Sequence, residues 1–105
     1  MRKFVEKLAN STCDKKIGNH QTLHRVFVNK GDVLTVQSFI YYDTTICKCC
    51  DALKVFAIDA SYGTRSTTNA CNSYRQYFKS KDYEELYDMD LFIEYIQKQL
   101  KEAKN

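Results

Sequence analysis

The chain predicts a single α+β domain, with an antiparallel sheet of about four strands and helices packed on one face. Three observations lead to this class. Apolar residues alternate with a period of two in the middle of the chain, they recur at helical spacing at both ends, and no linker separates these parts. With 44% apolar residues, the 105-residue chain is long enough to form one hydrophobic core, so we expect one domain over residues 1–105.

The first half of the chain predicts one short helix followed by an antiparallel meander. Phe4, Val5 and Leu8 indicate a helix over residues 2–8, and the polar stretch 10–21 is expected to be irregular. Alternating patterns predict strands over 22–29 and 33–41, joined by a hairpin turn at 29–32. Two further strands are expected at 44–49 and 54–59, with a turn between them.

The second half predicts helices. A helix is expected over 66–79, with Ser66 as its N-cap. Its inward stripe comprises Ala70, Tyr74, Tyr77 and Phe78. Asp82 and Glu85 have the spacing of a capping box, which predicts another short helical turn. The final helix is expected over 90–103. Its apolar stripe comprises Leu91, Phe92, Tyr95, Ile96 and Leu100.

Composition favours a cytoplasmic protein with no membrane partner. The chain begins with charged residues where a signal peptide requires an apolar run, and no stretch approaches the roughly 20 apolar residues of a membrane span. Five cysteines, an odd number, favour reduced thiols over a disulfide framework.

Charge divides the chain into a basic body and an acidic carboxyl-terminal segment. Residues 1–81 carry 13 basic and 6 acidic side chains, whereas residues 82–105 carry 3 basic and 7 acidic ones. This division is compatible with a polyanion-binding surface, with a basic partner, or with solubility alone.

The start of the predicted helix at residue 66 is the first candidate binding surface. Arg65, Ser66, Thr67 and Thr68, together with free backbone N–H groups, can contact an anion or a partner, with support from Tyr62 and Arg75. The alternative is an ordinary helix cap, although a cap requires only one such residue.

The acidic segment is the second candidate surface. Glu84, Glu85 and Asp88 belong to a stretch without basic residues from Asp82 to Gln97. Acidic helices can imitate a phosphate backbone and occupy a nucleic-acid channel. The alternative is that these carboxylates are solvated and complement the helix dipoles.

Two further sets of residues favour structural roles. Cys47, Cys49 and Cys50 lack the spacing of zinc knuckles, and alternation on a strand places Cys50 on the face opposite the other two, so buried thiols are favoured over a metal. The tyrosines, interleaved with lysines and arginines, could stack nucleic-acid bases, but their spacing favours the core. No catalytic motif or cofactor is predicted.

One segment resembles small accessory proteins of bacteriophages and mobile elements of Gram-positive hosts. The resemblance rests on Tyr42-Asp43-Thr44-Thr45-Ile46, the strand 54–58, and Tyr62-Gly63-Thr64-Arg65-Ser66-Thr67-Thr68, about 30 residues in all. A basic residue or His that tends to follow Ser-Thr-Thr in that pattern is replaced here by Asn69, Ala70 and Cys71.

Some proteins of this kind block host defence, including inhibitors of CRISPR effector nucleases. The resemblance therefore implies a non-enzymatic anti-defence protein, acting in the cytoplasm of the infected bacterial host. Its partner would be a defence protein such as a CRISPR effector nuclease with its guide RNA. A small nucleic-acid-binding module that uses the basic sheet and helix start is the alternative.

Overall fold

The structure is a computed structural model that describes residues 3–29, 32–59 and 65–102. Its elements, in chain order, are α1 (Lys3–Ala9), β1 (Lys15–Ile17), β2 (His20–Asn29), β3 (Asp32–Tyr41), β4 (Thr44–Cys50), β5 (Val55–Ile58), α2 (Arg65–Ser80), β6 (Glu84–Leu86) and α3 (Met89–Glu102). The predicted α+β class is confirmed.

In the described part of the chain, the sheet has six strands, not about four. They lie in sequence order, and the pairings from β1 to β5 are antiparallel, as the meander predicts. The predicted hairpin at 29–32 is also confirmed, because Asn29 pairs with Asp32. The two additional strands are β1, within the stretch predicted to be irregular, and β6, which pairs parallel to β5.

The helices lie on both faces of the sheet, so the prediction of helices on one face is wrong. Phe56 and Ile58 of β5 belong to a core cluster with α1 and α2, whereas Val55 and Ala57 belong to a second cluster with α3. Successive side chains of a strand point to opposite faces. All four residues of β5 are buried because helices cover the strand from both sides.

The helical stripes are largely as the periodicity predicts. Ala70, Tyr74, Tyr77 and Phe78 are all buried on α2. On α3, Phe92, Ile96 and Leu100 are buried, but Leu91 is 56% exposed and does not belong to the inward stripe. No helix within the described residues is long and apolar enough to cross a membrane.

The end of α2 explains why β6 replaces the predicted helical turn. The N–H of Tyr83 donates to the carbonyl of Phe78 at 3.0 Å, and the N–H of Asp82 donates to that of Lys79 at 3.1 Å. Asp82 has a φ of 65°. This is the Schellman arrangement that ends a helix, so Asp82 terminates α2 and does not cap a new helix. The next residues pair with β5, and the N–H of Glu84 donates to the carbonyl of Lys54 at 2.8 Å.

Candidate partner-binding site

A crevice lies where the parallel strands β5 and β6 end. Ligand and partner sites commonly form outside the carboxyl ends of parallel strands, because the connections to the following helices diverge there. This crevice has a volume of about 520 Å³. The described residues that line it are Ile58, Asp59, Arg75, Glu85, Tyr87, Asp88, Met89 and Asp90.

The lining is acidic, with four carboxylates and one guanidinium. The guanidinium belongs to Arg75 and is paired with the carboxylate of Glu85. Arg75 Nε lies 3.1 Å and 3.3 Å from the two carboxylate oxygens of Glu85, and its Nη2 donates to Glu85 at 3.2 Å. Lys79 Nζ lies 3.5 Å from the same carboxylate. The net field at the mouth of the crevice is therefore negative, because its cation is already neutralised by Glu85.

The low exposure of the Glu85 side chain indicates that the Arg75–Glu85 ion pair stabilises the fold. The Glu85 side chain is only 7% exposed, whereas that of Arg75 is 36% exposed. A carboxylate at this depth requires a partner cation, since an unpaired buried charge is strongly unfavourable. The pair links the middle of α2 to β6 and holds the floor of the crevice.

The first turn of α3 forms the other wall. Asp88 is its N-cap, because its Oδ1 accepts the N–H of Asp90 at 2.7 Å. The preceding residue, Tyr87, stands where an apolar side chain often packs back onto the fourth helical residue, here the buried Phe92. Tyr87 does not pack in this way, since it is 84% exposed. Tyr87 therefore lies at the crevice mouth and does not contribute to the core.

Three of the predicted site residues line this crevice, although the sequence pattern assigns them to two separate surfaces. Arg75 is predicted beside the helix start, and Glu85 and Asp88 in the acidic segment. Glu85 is expected on an acidic helical turn, but it lies buried on a strand. Glu84, next to it on β6, is exposed and outside the crevice lining.

The predicted helix-start surface is only partly described. Tyr62 lies outside the described residues. Arg65, Ser66 and Thr68 are exposed on the first turn of α2, and Thr67 is half-buried. The helix begins at Arg65, so Ser66 lies inside it and does not precede it as an N-cap.

Tyr87 and Asp90 are the site residues that sequence reasoning missed. The sequence pattern marks Asp90 only as the start of the final helix, within the acidic segment. The sequence does contain a signal for Tyr87. An aromatic residue directly before the N-cap Asp88 is expected to pack onto the fourth residue of the helix or to have a role outside the core.

Four of the five cysteines are buried in the core, and Cys13 is exposed. Cys47 and Cys49 belong to the cluster with α1 and α2, and Cys50 belongs to the cluster with α3, which confirms their predicted alternation. Burial raises the pKa of the Cys47 and Cys49 thiols well above its usual range, so both remain protonated. Within residues 3–29, 32–59 and 65–102, no three His, Cys, Asp or Glu residues are arranged to hold a metal ion.

The tyrosines do not form a stacking surface on the sheet. Tyr74 and Tyr77 are buried between α2 and the sheet, as the core interpretation predicts, while Tyr42 is 63% exposed at the turn after β3. Helices cover both faces of the central strands, so the sheet does not offer an open platform for bases.

Comparisons of the chain with protein-family models, curated proteins and solved structures find no match. The geometry defines an α+β domain with an acidic crevice that has an exposed tyrosine at its mouth.

Proposed function

We propose that the protein is a non-enzymatic binding protein that presents the mouth of this crevice to a basic surface of a partner protein. In the setting that the sequence resemblance implies, the protein is an anti-defence factor of phage type. It acts in the cytoplasm of the infected bacterial host, and the partner surface is the nucleic-acid channel of a CRISPR effector nuclease with its guide RNA.

The exposure of Tyr87 carries this proposal. A tyrosine that is 84% exposed gains nothing from the core, whereas tyrosine is among the residues that contribute most binding energy at protein interfaces. Leu91, 56% exposed, lies one turn further along the chain and adds apolar area on the same segment. Together they provide an apolar centre for an interface.

The carboxylates around Tyr87 indicate the charge of the partner. Asp88 and Asp90 follow it in the chain and line the same crevice, and the ion pairs found among the described residues include neither of them. Acidic groups around an aromatic anchor accelerate association with a basic surface and disfavour acidic ones. Nucleic-acid channels of nucleases are basic surfaces of this kind, because they neutralise phosphates with lysine and arginine.

The first experiment is a pull-down of the tagged protein from a host lysate, with and without nuclease treatment. Retention of a defence nuclease after nuclease treatment supports direct protein contact. Loss of every partner on treatment contradicts the proposal and favours the alternative, a small nucleic-acid-binding module.

Variants then test the crevice mouth on the captured complex. Tyr87→Ser removes the exposed ring, and Asp88→Asn with Asp90→Asn removes two charges, while the asparagine that replaces Asp88 still caps α3. We expect each to weaken binding at least about tenfold, the effect of a lost interface anchor or of two complementary charges. Tyr42→Ser is the matched control, since it removes another exposed tyrosine that does not belong to the crevice lining. Equal affinity of all these variants and the wild type would reject the crevice mouth as the binding surface.

A further inference from the structure

A second crevice lies at the opposite end of the parallel strands β5 and β6, where both strands begin. It has a volume of about 230 Å³. The described residues that line it are Ala9, Asn10, Asp51, Lys54, Tyr77, Phe78, Lys81 and Tyr83. This lining carries two ammonium groups and one carboxylate, so its net charge is positive, whereas that of the acidic crevice is negative. We call it the lysine crevice.

Three aromatic rings form the floor of the lysine crevice. The ring centroid of Phe78 lies 5.2 Å from that of Tyr77 and 5.1 Å from that of Tyr83. The hydroxyl of Tyr77 donates to Asn10 Oδ1 at 3.3 Å. The hydroxyl of Tyr83 donates to Asp51 Oδ1 at 2.6 Å, and burial raises the pKa of Tyr83, so this proton is retained. The floor is therefore apolar, and the polar groups lie at the rim.

Each lysine of the crevice holds its ammonium group over one of the tyrosine rings. Lys54 Nζ lies 5.5 Å from the ring centroid of Tyr83, and Lys81 Nζ lies 5.7 Å from that of Tyr77. The ion pairs found among the described residues include neither lysine. A ring attracts a cation through its quadrupole but carries no net charge. The rings therefore position the two ammonium groups without neutralising them.

The backbone of Lys54 is strained. Its φ is 54°, a left-handed conformation that glycine adopts freely and that is unfavourable for a residue with a side chain. The N–H of Glu84 donates to the carbonyl of Lys54 at 2.8 Å, so the pairing with β6 fixes this position. A lysine where glycine fits better reduces stability, and strain of this kind is concentrated at ligand sites. It supports a binding role for the ammonium group.

We propose that the lysine crevice binds the phosphate group of a small phosphate monoester. Such a group carries a charge of about −1.5 to −2 at neutral pH, which matches the two ammonium groups, and lysine binds phosphate as a point charge. The Oδ1 of Asn10 accepts from Tyr77, so its amide Nδ2 is the donor that remains for a phosphate oxygen. The volume equals that of about seven or eight water molecules, which suits a phosphate on a small body that rests on the aromatic floor.

A cationic ligand does not fit the same crevice. The rings of Tyr77 and Tyr83 already hold the protein's own ammonium groups, so an added cation would meet two like charges. The carboxylate of Asp51 already accepts the hydroxyl of Tyr83. The lysine crevice shares no lining residue with the acidic crevice, so this inference is independent of the proposed function.

Titration of the isotope-labelled protein with inorganic phosphate and with phenyl phosphate, followed by NMR at low ionic strength, tests the proposal. We expect saturable shifts of the signals of Asn10, Lys54 and Lys81. Phenyl phosphate should bind at least about threefold more tightly than inorganic phosphate, because its ring contacts the aromatic floor. Shifts that do not saturate, or that appear equally at lysines across the whole surface, overturn the proposal, since ionic strength alone produces them.

Variants of the two lysines separate binding from folding. Lys54→Gly removes the ammonium group and relieves the positive φ, so the Kd for phenyl phosphate should rise at least about tenfold while the Tm does not decrease. Lys81→Met should raise the Kd by a similar factor. Lys15→Met is the matched control, because Lys15 is exposed on β1 and outside the crevice lining, and it should keep the wild-type Kd.

Two results from these titrations overturn the proposal. One is the wild-type Kd for phenyl phosphate in either Lys54→Gly or Lys81→Met. The other is a short single-stranded oligonucleotide that shifts the signals of Asn10, Lys54 and Lys81 when neither small phosphate does so. That result would assign the lysine crevice to a nucleic-acid backbone and favour the nucleic-acid-binding module.

Discussion

Removing the guanidinium of Arg75 should destabilise the fold, because the buried carboxylate of Glu85 loses its main partner. We consider Arg75→Met, which keeps the length of the side chain. Breaking a fully buried ion pair costs about 3–5 kcal/mol. Here Arg75 is 36% exposed, and Lys79 remains 3.5 Å from Glu85. Solvent screening and the second cation reduce the expected loss in unfolding free energy to about 2 kcal/mol.

Urea denaturation followed by circular dichroism measures this loss, and thermal unfolding provides a second reading. For a domain of this size about 2 kcal/mol corresponds to a decrease in Tm of about 10 °C. Arg65→Met is the matched control, since it makes the same change at an exposed position of the same helix, and it should change stability by less than about 0.5 kcal/mol. The double variant Arg75→Met with Glu85→Leu should recover most of the loss, because no buried charge is left unpaired.

The result also separates the two roles considered for Arg75. Two results would refute the reasoning about a buried pair. One is an Arg75→Met variant as stable as the wild type. The other is a double variant whose loss of unfolding free energy equals the sum of the losses in the single variants Arg75→Met and Glu85→Leu. Normal stability combined with lost partner binding would instead make Arg75 a partner contact. The geometry favours the structural role, since its guanidinium faces Glu85.

Four further predictions concern individual side chains. Tyr74→Phe should raise the unfolding free energy by about 1 kcal/mol in urea denaturation, because the buried Tyr74 hydroxyl has no hydrogen-bond partner among the described residues. A loss of stability would contradict this. A thiol reagent should label only Cys13 in the native protein, since the other four thiols are buried. Burial raises the pKa of the Cys47 and Cys49 thiols above the ordinary value of 9.0, so the unfolded chain loses these protons at a lower pH than the folded protein does. The free energy of unfolding should therefore be unaffected by these thiols below pH 9.0 and should decline as the pH rises beyond it. Unchanged stability at alkaline pH would be inconsistent with this. Asp82→Gly should stabilise the protein by about 0.5–1 kcal/mol, because glycine adopts a positive φ without strain, whereas Asp82→Ala should destabilise it.

The strands of the meander were predictable because their pattern is local. Alternation over 22–29 and 33–41 fixes both the strands and the face that each side chain takes, as the separation of Cys49 from Cys50 shows. The placement of the helices was not predictable in this way. An apolar stripe shows that a helix is buried, but it does not show which face of the sheet the helix covers. The face that each helix covers depends on how the connection from β5 to β6 crosses the sheet, and this connection is a long-range feature of the fold.

The candidate site was partly predictable for a related reason. Composition drew attention to Arg75, Glu85 and Asp88, but it could not show that Arg75 and Glu85 neutralise each other. That pairing requires β6 to lie beside α2, and the sequence pattern predicted no strand there. Tyr87 was missed because exposure is a property of the folded chain, and the same residue could have packed on Phe92.

Asp82 stands at the point where the chain leaves α2 and enters β6. Asp followed three residues later by Glu is the pattern of a capping box, which satisfies free N–H groups at the start of a helix. In the structure the free groups near Asp82 are instead the carbonyls at the end of α2, and Asp82 takes the left-handed conformation that closes that end. The chain then leaves the helix extended, so that Glu84 can pair with β5 and Glu85 can reach Arg75. Whether Asp82 ends one helix or starts another therefore determines whether Glu85 is a solvated surface charge or the buried anion at the floor of the crevice.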